Sequence, residues 1–420
     1  MSNKKERFGW YMFDWAISAF SATVITVFLG PYLSNIAENA AINGKINFLG
    51  FLINSASYFG YVISASVLFQ VLLLPLLGAY SDRTNRKKSV LIILSFVGAI
   101  STTLLYFLEG TNYQIGGILL FAANLSFGGA MVIYNSFLND IALEHERDKI
   151  SSIGWGVGFL GGGVLLLINL IIFSNFDSLG ITEGHAVRIS LGSAGLWWAG
   201  FSLITFKYLK ADKKSLNIQS NVAISSFKQL KNTLKDIKKE KKAFNFLIAY
   251  LFYNDGVQAV ITFSALFGAM ELGLEQSTLI SAILMVQFVA FFGSIIFNKG
   301  AEKFSTKNII LFSLVIWVFC LVYAFQFLYT AIDFYILAFV IALVLGGTQA
   351  LSRSLFSKLI PKEKESEYFS FYEISERGTS WVGYFLFSFA LDMTDSYRVA
   401  ILSLVILFVV GGILLKRAKV

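Results

Sequence analysis

Twelve apolar stretches, each long enough to form a membrane-spanning helix, constrain this chain more than any other feature. A spanning helix needs about 20 mainly apolar residues. The charged share is only 14%, whereas soluble domains carry about 25%. We therefore predict an all-α membrane protein with spans at 8–34, 56–80, 89–108, 114–139, 152–174, 187–208, 244–270, 277–298, 308–328, 332–352, 368–390 and 396–415.

The basic residues alternate along these spans. All Lys and Arg residues except Lys45, Arg188 and Arg398 fall in the two tails, the central segment or the loops that follow even-numbered spans. Because cytoplasmic loops are enriched in Lys and Arg, both termini are predicted to be cytoplasmic. No targeting extension precedes the first span, so we expect the inner membrane of a bacterium.

One long hydrophilic segment, 209–243, separates the spans into two sets of six. The predicted domains are thus a six-helix half at 1–208, a basic cytoplasmic linker at 209–243 and a second six-helix half at 244–420. The linker could be solvated or could lie on anionic lipid. The net charge of +8 comes from the loops and linker, so we expect membrane lipids and no nucleic acid as partners, and a monomer.

Four spans carry polar stripes at helical spacing. Residues three, four or seven positions apart share one helix face, and polar faces in lipid must meet one another or water. We therefore expect spans 1, 4, 7 and 10 to line a central cavity. The aligned residues are Asp14, Ser18 and Ser21; Asn124, Gly128, Asn135 and Asn139; Asp255, Gln258 and Thr262; and Gly346, Gln349 and Arg353.

The two halves also repeat features, as in transporters built from internal repeats. Asp14 in "YMFDWA" corresponds to Asp255 in "FYNDGV", and Asp82 in the loop after span 2 corresponds to Glu302 in the loop after span 8. Either Asp could be a structural acid held by nearby donors. Alternatively, a carboxylate in a partly dry cavity could carry a proton or bind a cationic group of a substrate.

Depth distinguishes the two acids. At about 1.5 Å per residue, Asp255 lies roughly 20 Å along its helix from Lys242, near the bilayer midplane. Asp14 lies only about 10 Å from Arg7, nearer the cytoplasmic mouth. We therefore predict that Asp14 is a cavity or gate charge and that Asp255 is the better candidate for coupling.

Further charges lie near the cytoplasmic end of span 10. Arg353 could clamp a substrate carboxylate, but its depth favours a helix anchor or a gate partner of Asp140. Glu373, Glu376 and Arg377 could close a cytoplasmic gate against the loop after span 2, or could form a surface network.

Several quoted stretches resemble known proteins. "GAYSDRTNRKK" resembles the G-x-x-x-D-R-x-x-R-K signature of the major facilitator superfamily, and "FDWAISAF" resembles the "YDWANSAF" opening of the vacuole-effluxer family. "YNSFLNDIA", "YNDG" and "QALSRSLFSKLIPKEKESEYFSFY" match that family as well, so the resemblance extends along the whole chain.

The resemblance implies the major facilitator fold, two pseudo-symmetric six-helix halves, and proton-coupled export of an amino acid by alternating access. In the superfamily, a loop similar to this signature acts as a conformational lock between the halves. Alternatively, its charges could only fix the orientation of the helices in the membrane. The implied lock residues are Gly78, Asp82, Arg83, Arg86, Lys87 and Glu302.

The chain departs from the family pattern at a few positions. Ile17 replaces a usual Asn beside Asp14, and Tyr384 replaces a usual Pro. Glu376–Arg377 stands in place of Gly–Lys, while Asn298 and Glu302 stand in place of Gly and Asp. These departures bear on the substrate more than on the fold.

Two other functions stay open: an exporter of amphiphiles or drugs, and a membrane receptor or scaffold without flux. An enzyme is not expected, because the sequence offers no nucleophile–base pair, phosphate loop or metal-ligand spacing. His145 and His185 are far apart and Cys320 is the single cysteine, so we expect neither a metal site nor a cofactor.

Overall fold

The computed structural model describes residues 4–48, 50–55, 58–212, 240–377 and 381–418. Within these ranges, eleven helices are long and apolar enough to cross a membrane. The first ten are α1 (Lys4–Asn39), α2 (Tyr58–Thr84), α3 (Lys87–Leu104), α4 (Tyr113–Ser136), α5 (Arg147–Ser174), α6 (Glu183–Tyr208), α7 (Lys241–Met270), α8 (Gln276–Phe304), α9 (Thr306–Phe327) and α10 (Ala331–Leu359). The eleventh lies at Tyr397–Arg417 and is numbered α13, because two shorter helices precede it in the chain. Short helical turns lie at Leu105–Phe107, Leu138–Ile141 and Glu144–Glu146.

Two shorter helices fall in the predicted eleventh span, α11 (Glu365–Arg377) and α12 (Trp381–Thr394). Residues 378–380 lie outside the described part of the chain. The apolar part of α12, Val382–Leu391, covers only about 15 Å as a helix, which is half of a bilayer core. α11 carries buried acids and packs against α2 and α4.

The first helix changes its winding near the predicted polar stripe. It is α-helical over Lys4–Ala19, π-helical over Phe20–Phe28 and α-helical again over Leu29–Asn39. Ser21 Oγ donates to the carbonyl of Ser18 at 3.1 Å and Thr26 Oγ1 donates to that of Ser21 at 2.8 Å. These hydroxyls supply donors to carbonyls beside the change in winding, and π segments are frequent at functional sites.

Two strands, β1 (Lys45–Phe48) and β2 (Phe51–Asn54), form an antiparallel hairpin between α1 and α2. The sequence pattern gave no indication of them. Tyr113 Oη at the start of α4 donates to the carbonyl of Asn47 at 3.2 Å, so the hairpin lies at the end of the molecule where α4 begins.

The apolar core forms two clusters, one within α1–α6 and the other within α7–α13. We call these helix sets the first half and the second half. Glycines allow close approach between helices: a Cβ on Gly161 of α5 would lie 2.4 Å from the Trp15 carbonyl oxygen.

The described hydrogen bonds and ion pairs between the halves lie at one end of the molecule. We call it the inner end; it is where α2 meets α3, α4 meets α5 and α10 meets α11, and it is the end predicted to be cytoplasmic. Asp212, an early residue of the predicted linker, accepts the backbone N–H groups of Lys88 and Ser89 at 2.8 and 3.0 Å there. The linker residues 213–239 lie outside the described chain.

Candidate functional site

A buried ion pair connects the two halves. Arg353 Nη1 on α10 lies 3.3 Å from Asp14 Oδ2 on α1, and the two side chains are 0% and 6% exposed. Removing two charges from water is unfavourable unless other groups satisfy their hydrogen bonds. The surroundings of the pair should therefore supply further donors and acceptors.

The Arg353 guanidinium has such partners on every side. Its Nε donates to Ser151 Oγ at 2.9 Å, one Nη donates to the Ser151 carbonyl at 2.8 Å, and the other donates to Asn135 Oδ1 at 3.3 Å. The rings of Trp10, Trp155 and Tyr134 have centroids 4.8, 5.3 and 5.7 Å from Arg353 Cζ. Cation–π attraction strengthens when the cation is desolvated, so the rings stabilise the buried charge.

Contacts within the first half hold the side chains around Arg353 in place. Tyr134 Oη donates to Asp14 Oδ2 at 2.5 Å, and Trp10 Nε1 donates to the Tyr134 carbonyl at 3.1 Å. The Trp10 and Tyr134 rings are stacked 4.6 Å apart. Gly154 leaves the space for the pair, since a Cβ there would lie 2.6 Å from Asp14 Oδ2.

Asn135 extends the network to α11. Its Nδ2 donates to Glu373 Oε1 at 2.7 Å while its Oδ1 accepts from Arg353. Glu376, one turn further along α11, accepts from Tyr250 Oη at 3.2 Å. The predicted gate candidates are thus both buried, Glu373 against the first half and Glu376 within the second half. The side chain of Arg377 lies outside the described structure.

Gln349 belongs to a neighbouring polar group inside the second half. Its Nε2 donates to Asn254 Oδ1 at 3.0 Å, and Asn254 Nδ2 donates to the Glu376 carbonyl at 3.1 Å. These bonds connect α7, α10 and α11, so Gln349 positions helices of its own half.

The signature loop after α2 lies against the start of α11. Asp82 Oδ1 and Oδ2 accept the backbone N–H groups of Ser366 and Glu367 at 3.2 and 2.9 Å. A carboxylate at a helix N-terminus satisfies free N–H groups and complements the helix dipole. Gly78, one turn earlier, allows this approach, because a Cβ there would lie 2.5 Å from the Ser366 carbonyl oxygen.

The cations of this loop differ from one another. Lys87 Nζ lies 3.0 Å from Asp140 Oδ2 and 3.4 Å from Glu365 Oε2 of the second half. Arg83 and Arg86 are exposed and form no ion pair with any described residue. Of the predicted lock cations, Lys87 is therefore the one that connects the halves.

One predicted contact was wrong, and one predicted lock residue lies away from the contacts between the halves. Arg353 pairs with Asp14 and not with Asp140, because Arg353 points into the first half while Asp140 turns to Lys87 at the surface. Glu302 does not reach the other half: it is exposed and accepts from Asn298 Nδ2 at 3.1 Å within its own helix.

Sequence reasoning missed a second set of contacts at the inner end. Asp148 on α5 accepts from Lys358 Nζ at 2.6 Å, Ser354 Oγ at 2.7 Å and Thr306 Oγ1 at 2.8 Å, all in the second half. The sequence signal for this site was the position of Asp148 at the start of a helix. Its neighbours Arg147 and Lys149 are cations, so Asp148 could equally be an ordinary surface acid.

Asp255 lies in the second half without a cationic partner among the described residues. It is 1% exposed, its Oδ2 accepts from the Gly383 N–H at 2.9 Å, and no described donor reaches Oδ1. Thr262, two turns further along α7, is exposed and bonds Tyr384 Oη at 3.1 Å, while Gln258 is half-buried. The predicted stripe is therefore buried at Asp255 and open at Thr262.

The span 4 stripe divides in a different way. Asn124 Nδ2 donates to Ser66 Oγ at 2.6 Å and its carbonyl accepts from Gln70 Nε2 at 2.8 Å. Asn124 therefore connects α2 and α4 within the first half, which corrects its predicted place on the cavity wall. Asn139 has a buried Oδ1 that no described donor reaches, and on α1 the half-buried Ser18 lies against Gly158 of α5.

The chain matches known proteins over nearly its whole length. Residues 2–420 match the family described as "Vacuole effluxer Atg22 like". The chain is 32% identical to the uncharacterized MFS-type transporter YxiO of Bacillus subtilis, covering 98% of this chain and 94% of the relative. It is 23% identical to autophagy-related protein 22 of Pichia angusta, covering 94% and 88%.

Solved structures match the fold. The transporter FucP, crystallised in an outward conformation, superposes with a TM-score of 0.67 at 14% identity over 99% of this chain and 98% of that one. The proton:xylose symporter XylE superposes with a TM-score of 0.70 at 12% identity, covering 97% and 94%. The predicted major facilitator fold is confirmed.

Proposed function

Since the chain belongs to the vacuole effluxer Atg22-like family, we propose that it exports an amino acid by alternating access coupled to protons. It is a multi-pass integral membrane protein and a secondary transporter, not an enzyme. The substrate class, the direction and the coupling ion are the parts that we propose.

The observation that carries the proposal is the Asp14–Arg353 pair. It joins the halves at the inner end and is fully buried there, so it can form only while that end is closed. Opening the inner end must separate two charges in a low-dielectric site, which is unfavourable unless each gains a new partner. Binding of a proton or a solute at this site would thus be coupled to the movement of the halves.

We assign different roles to the two acids. Asp14 would act as the gate charge, because Arg353 already neutralises it in the closed state. Asp255 would carry the proton, because it is buried with one oxygen free of described donors and with no described cation beside it. The residues Gly78, Asp82 and Lys87 would stabilise the closed inner end.

The proposed setting is the inner membrane of a bacterium with both termini in the cytoplasm, and a monomer in contact with lipids. The distribution of Lys and Arg supports this orientation, and a relative of similar length occurs in Bacillus subtilis. Accessibility of cysteines placed at Lys4 and Lys416 to an impermeant label in intact cells tests the orientation.

The test of function is uptake and counterflow of labelled amino acids in proteoliposomes, with and without an imposed pH gradient. Wild type is compared with Asp255→Asn and with Asp177→Asn, an exposed aspartate that serves as the matched control. We expect gradient-driven flux to be lost in Asp255→Asn, counterflow to be retained, and the control to behave as wild type.

Two results would count against the proposal. Flux in Asp255→Asn that still follows the pH gradient would remove Asp255 from coupling. Absence of movement for every amino acid under every gradient would remove the proposed substrate class, and the amphiphile exporter and the non-transporting receptor would then be the better explanations.

A further inference from the structure

We propose that the first half contains a binding site for an organic cation, and that Arg353 fills this site as a tethered ligand while the inner end is closed. The proposal extends the proposed function, on which it rests, by assigning the solute a primary ammonium or guanidinium group. We call the site the cation cage; it comprises Trp10, Asp14, Tyr134, Asn135, Ser151 and Trp155.

Every described hydrogen-bond acceptor of the guanidinium, and every described ring that its cation faces, belongs to the first half. Asp14 supplies the charge, Asn135 Oδ1 and both oxygens of Ser151 accept its N–H groups, and the three aromatic rings come from α1, α4 and α5. Arg353 is the member that comes from the second half. A side chain that only joined the two halves would not need acceptors and rings from three helices of a single half.

The cage is held together without Arg353. Trp10 is fixed by its bond to the Tyr134 carbonyl, and Tyr134 is fixed by its bond to Asp14. Gly154 keeps the floor open beside Asp14, Trp10 and Arg353, with Cβ distances of 2.6, 2.6 and 2.9 Å. Because these contacts lie within one half, movement of the halves leaves Trp10, Tyr134 and Asp14 assembled. Asn135 and Ser151 also bond the second half, through Glu373 Oε1 and the Ala350 carbonyl, and would exchange those two bonds when the halves separate.

Withdrawal of α10 would then expose an intact cage towards the inner side. A buried carboxylate without a partner is strongly unfavourable, and aromatic rings around it favour an organic cation over a neutral solute. A solute with an ammonium or guanidinium head can replace Arg353, and return of Arg353 during closure would displace it again. Competition between a bound solute and a tethered side chain is a direct means of coupling solute release to closure.

The test uses the full-length Arg353→Gln variant in detergent, which removes the guanidinium from the cage and leaves a shorter, uncharged polar side chain on α10. Melting temperature is measured against increasing methylguanidinium or methylammonium, with urea as the neutral control. The double variant Asp14→Asn/Arg353→Gln is the matched control, because it lacks the anionic partner. Ligands that bind only the folded state raise the melting temperature in a saturable way.

We expect a saturable rise with at least one of the two cations in Arg353→Gln, no rise with urea, and loss of the rise in the double variant. The absence of a saturable rise with both cations, or an equal rise in the double variant, would overturn the proposal. Neither outcome requires transport, so failure of the cation cage is distinguishable from failure of the proposed function.

A second variant keeps the test available if Arg353→Gln does not fold. Asp148→Asn retains the whole cage but removes ion pairing with Lys358 at the inner end, so Arg353 should leave the cage more often. Methylguanidinium should then raise the melting temperature of Asp148→Asn more than that of wild type. An equal response of the two proteins would contradict the proposal.

Discussion

Asp14 lies on the first helix of the first half and Asp255 on the first helix of the second half, but their surroundings differ. Asp14 contacts an arginine of the other half, a tyrosine hydroxyl and, through that arginine, three aromatic rings. Asp255 accepts one backbone N–H of its own half, and no described donor reaches its second oxygen. The different surroundings support the different roles that we propose for the two acids.

The difference is one of charge balance. Asp14 is a buried anion with a buried counter-ion, so changing either partner alone leaves an uncompensated charge. Asp255 has no described counter-ion, so removing its charge takes no partner away. Perturbation of the first region should affect stability and closure, whereas perturbation of the second should affect transport with little effect on stability.

The largest effect should follow from replacing one member of the ion pair. Arg353→Met should lower the free energy of unfolding by about 3–5 kcal/mol, because Asp14 would be left buried and charged. Asp14→Asn/Arg353→Met should recover much of that loss. Thermal or denaturant unfolding of the two single variants and the double variant measures the coupling; additive losses would mean that the pair is not energetically coupled.

The second-largest difference between the two regions should follow from replacing the glycine beside each acid. Gly154→Ala places a Cβ 2.6 Å from Asp14 Oδ2, within the pair itself, while Gly383→Ala places one 2.8 Å from Ala259 Cβ beside Asp255. Overpacking costs about 1–3 kcal/mol, so both should lower the melting temperature. Gly154→Ala should in addition weaken closure of the inner end, measured as faster labelling of a cysteine at Ser136. Equal labelling rates in the two variants would contradict the claim that only the surroundings of Asp14 control closure of the inner end.

The smallest effect on stability should be that of Asp255→Asn. The amide oxygen can still accept the Gly383 N–H, so we expect the free energy of unfolding to change by less than about 1 kcal/mol. Asp14→Asn under the same conditions should be clearly more destabilising, since it leaves the Arg353 guanidinium without its counter-ion. Denaturant unfolding of both variants in one detergent tests the ranking, and a larger loss in Asp255→Asn would reverse it.

Hydropathy was sufficient for eleven of the twelve predicted spans, because span length follows directly from the thickness of the bilayer. The major facilitator fold itself was predicted from the resemblance of the quoted motifs. Helical spacing also identified Asp14, Asn135 and Arg353 as residues of polar faces. It could not identify their partners, since Arg353 and Asp14 are brought together by helices of different halves. The depth of Arg353 near the cytoplasmic end favoured a helix anchor or a gate partner of Asp140, and depth alone does not distinguish one acid near that end from another.

The uncharged members of the site were harder to predict. Trp10, Tyr134 and Trp155 do not stand out in a chain with 16% aromatic residues, and Ser151 contributes a carbonyl oxygen that any residue would have. Asn124 shows the converse error: a polar residue on the expected face was taken for cavity lining, although Ser66 and Gln70 on α2 satisfy it. Spacing identifies a polar face but not the neighbour that it contacts.

The central claim is that the Asp14–Arg353 pair holds the inner end closed. Nitroxide labels at Lys149→Cys and Lys362→Cys, both exposed and on opposite halves, allow the separation of the halves to be measured by double electron–electron resonance. In the labelled wild type, we predict that most molecules show the short distance between labels that belongs to the closed inner end. When Arg353→Gln is added, we predict that a much larger fraction of molecules shows a longer distance between the labels. An unchanged distance distribution in that variant would contradict the account.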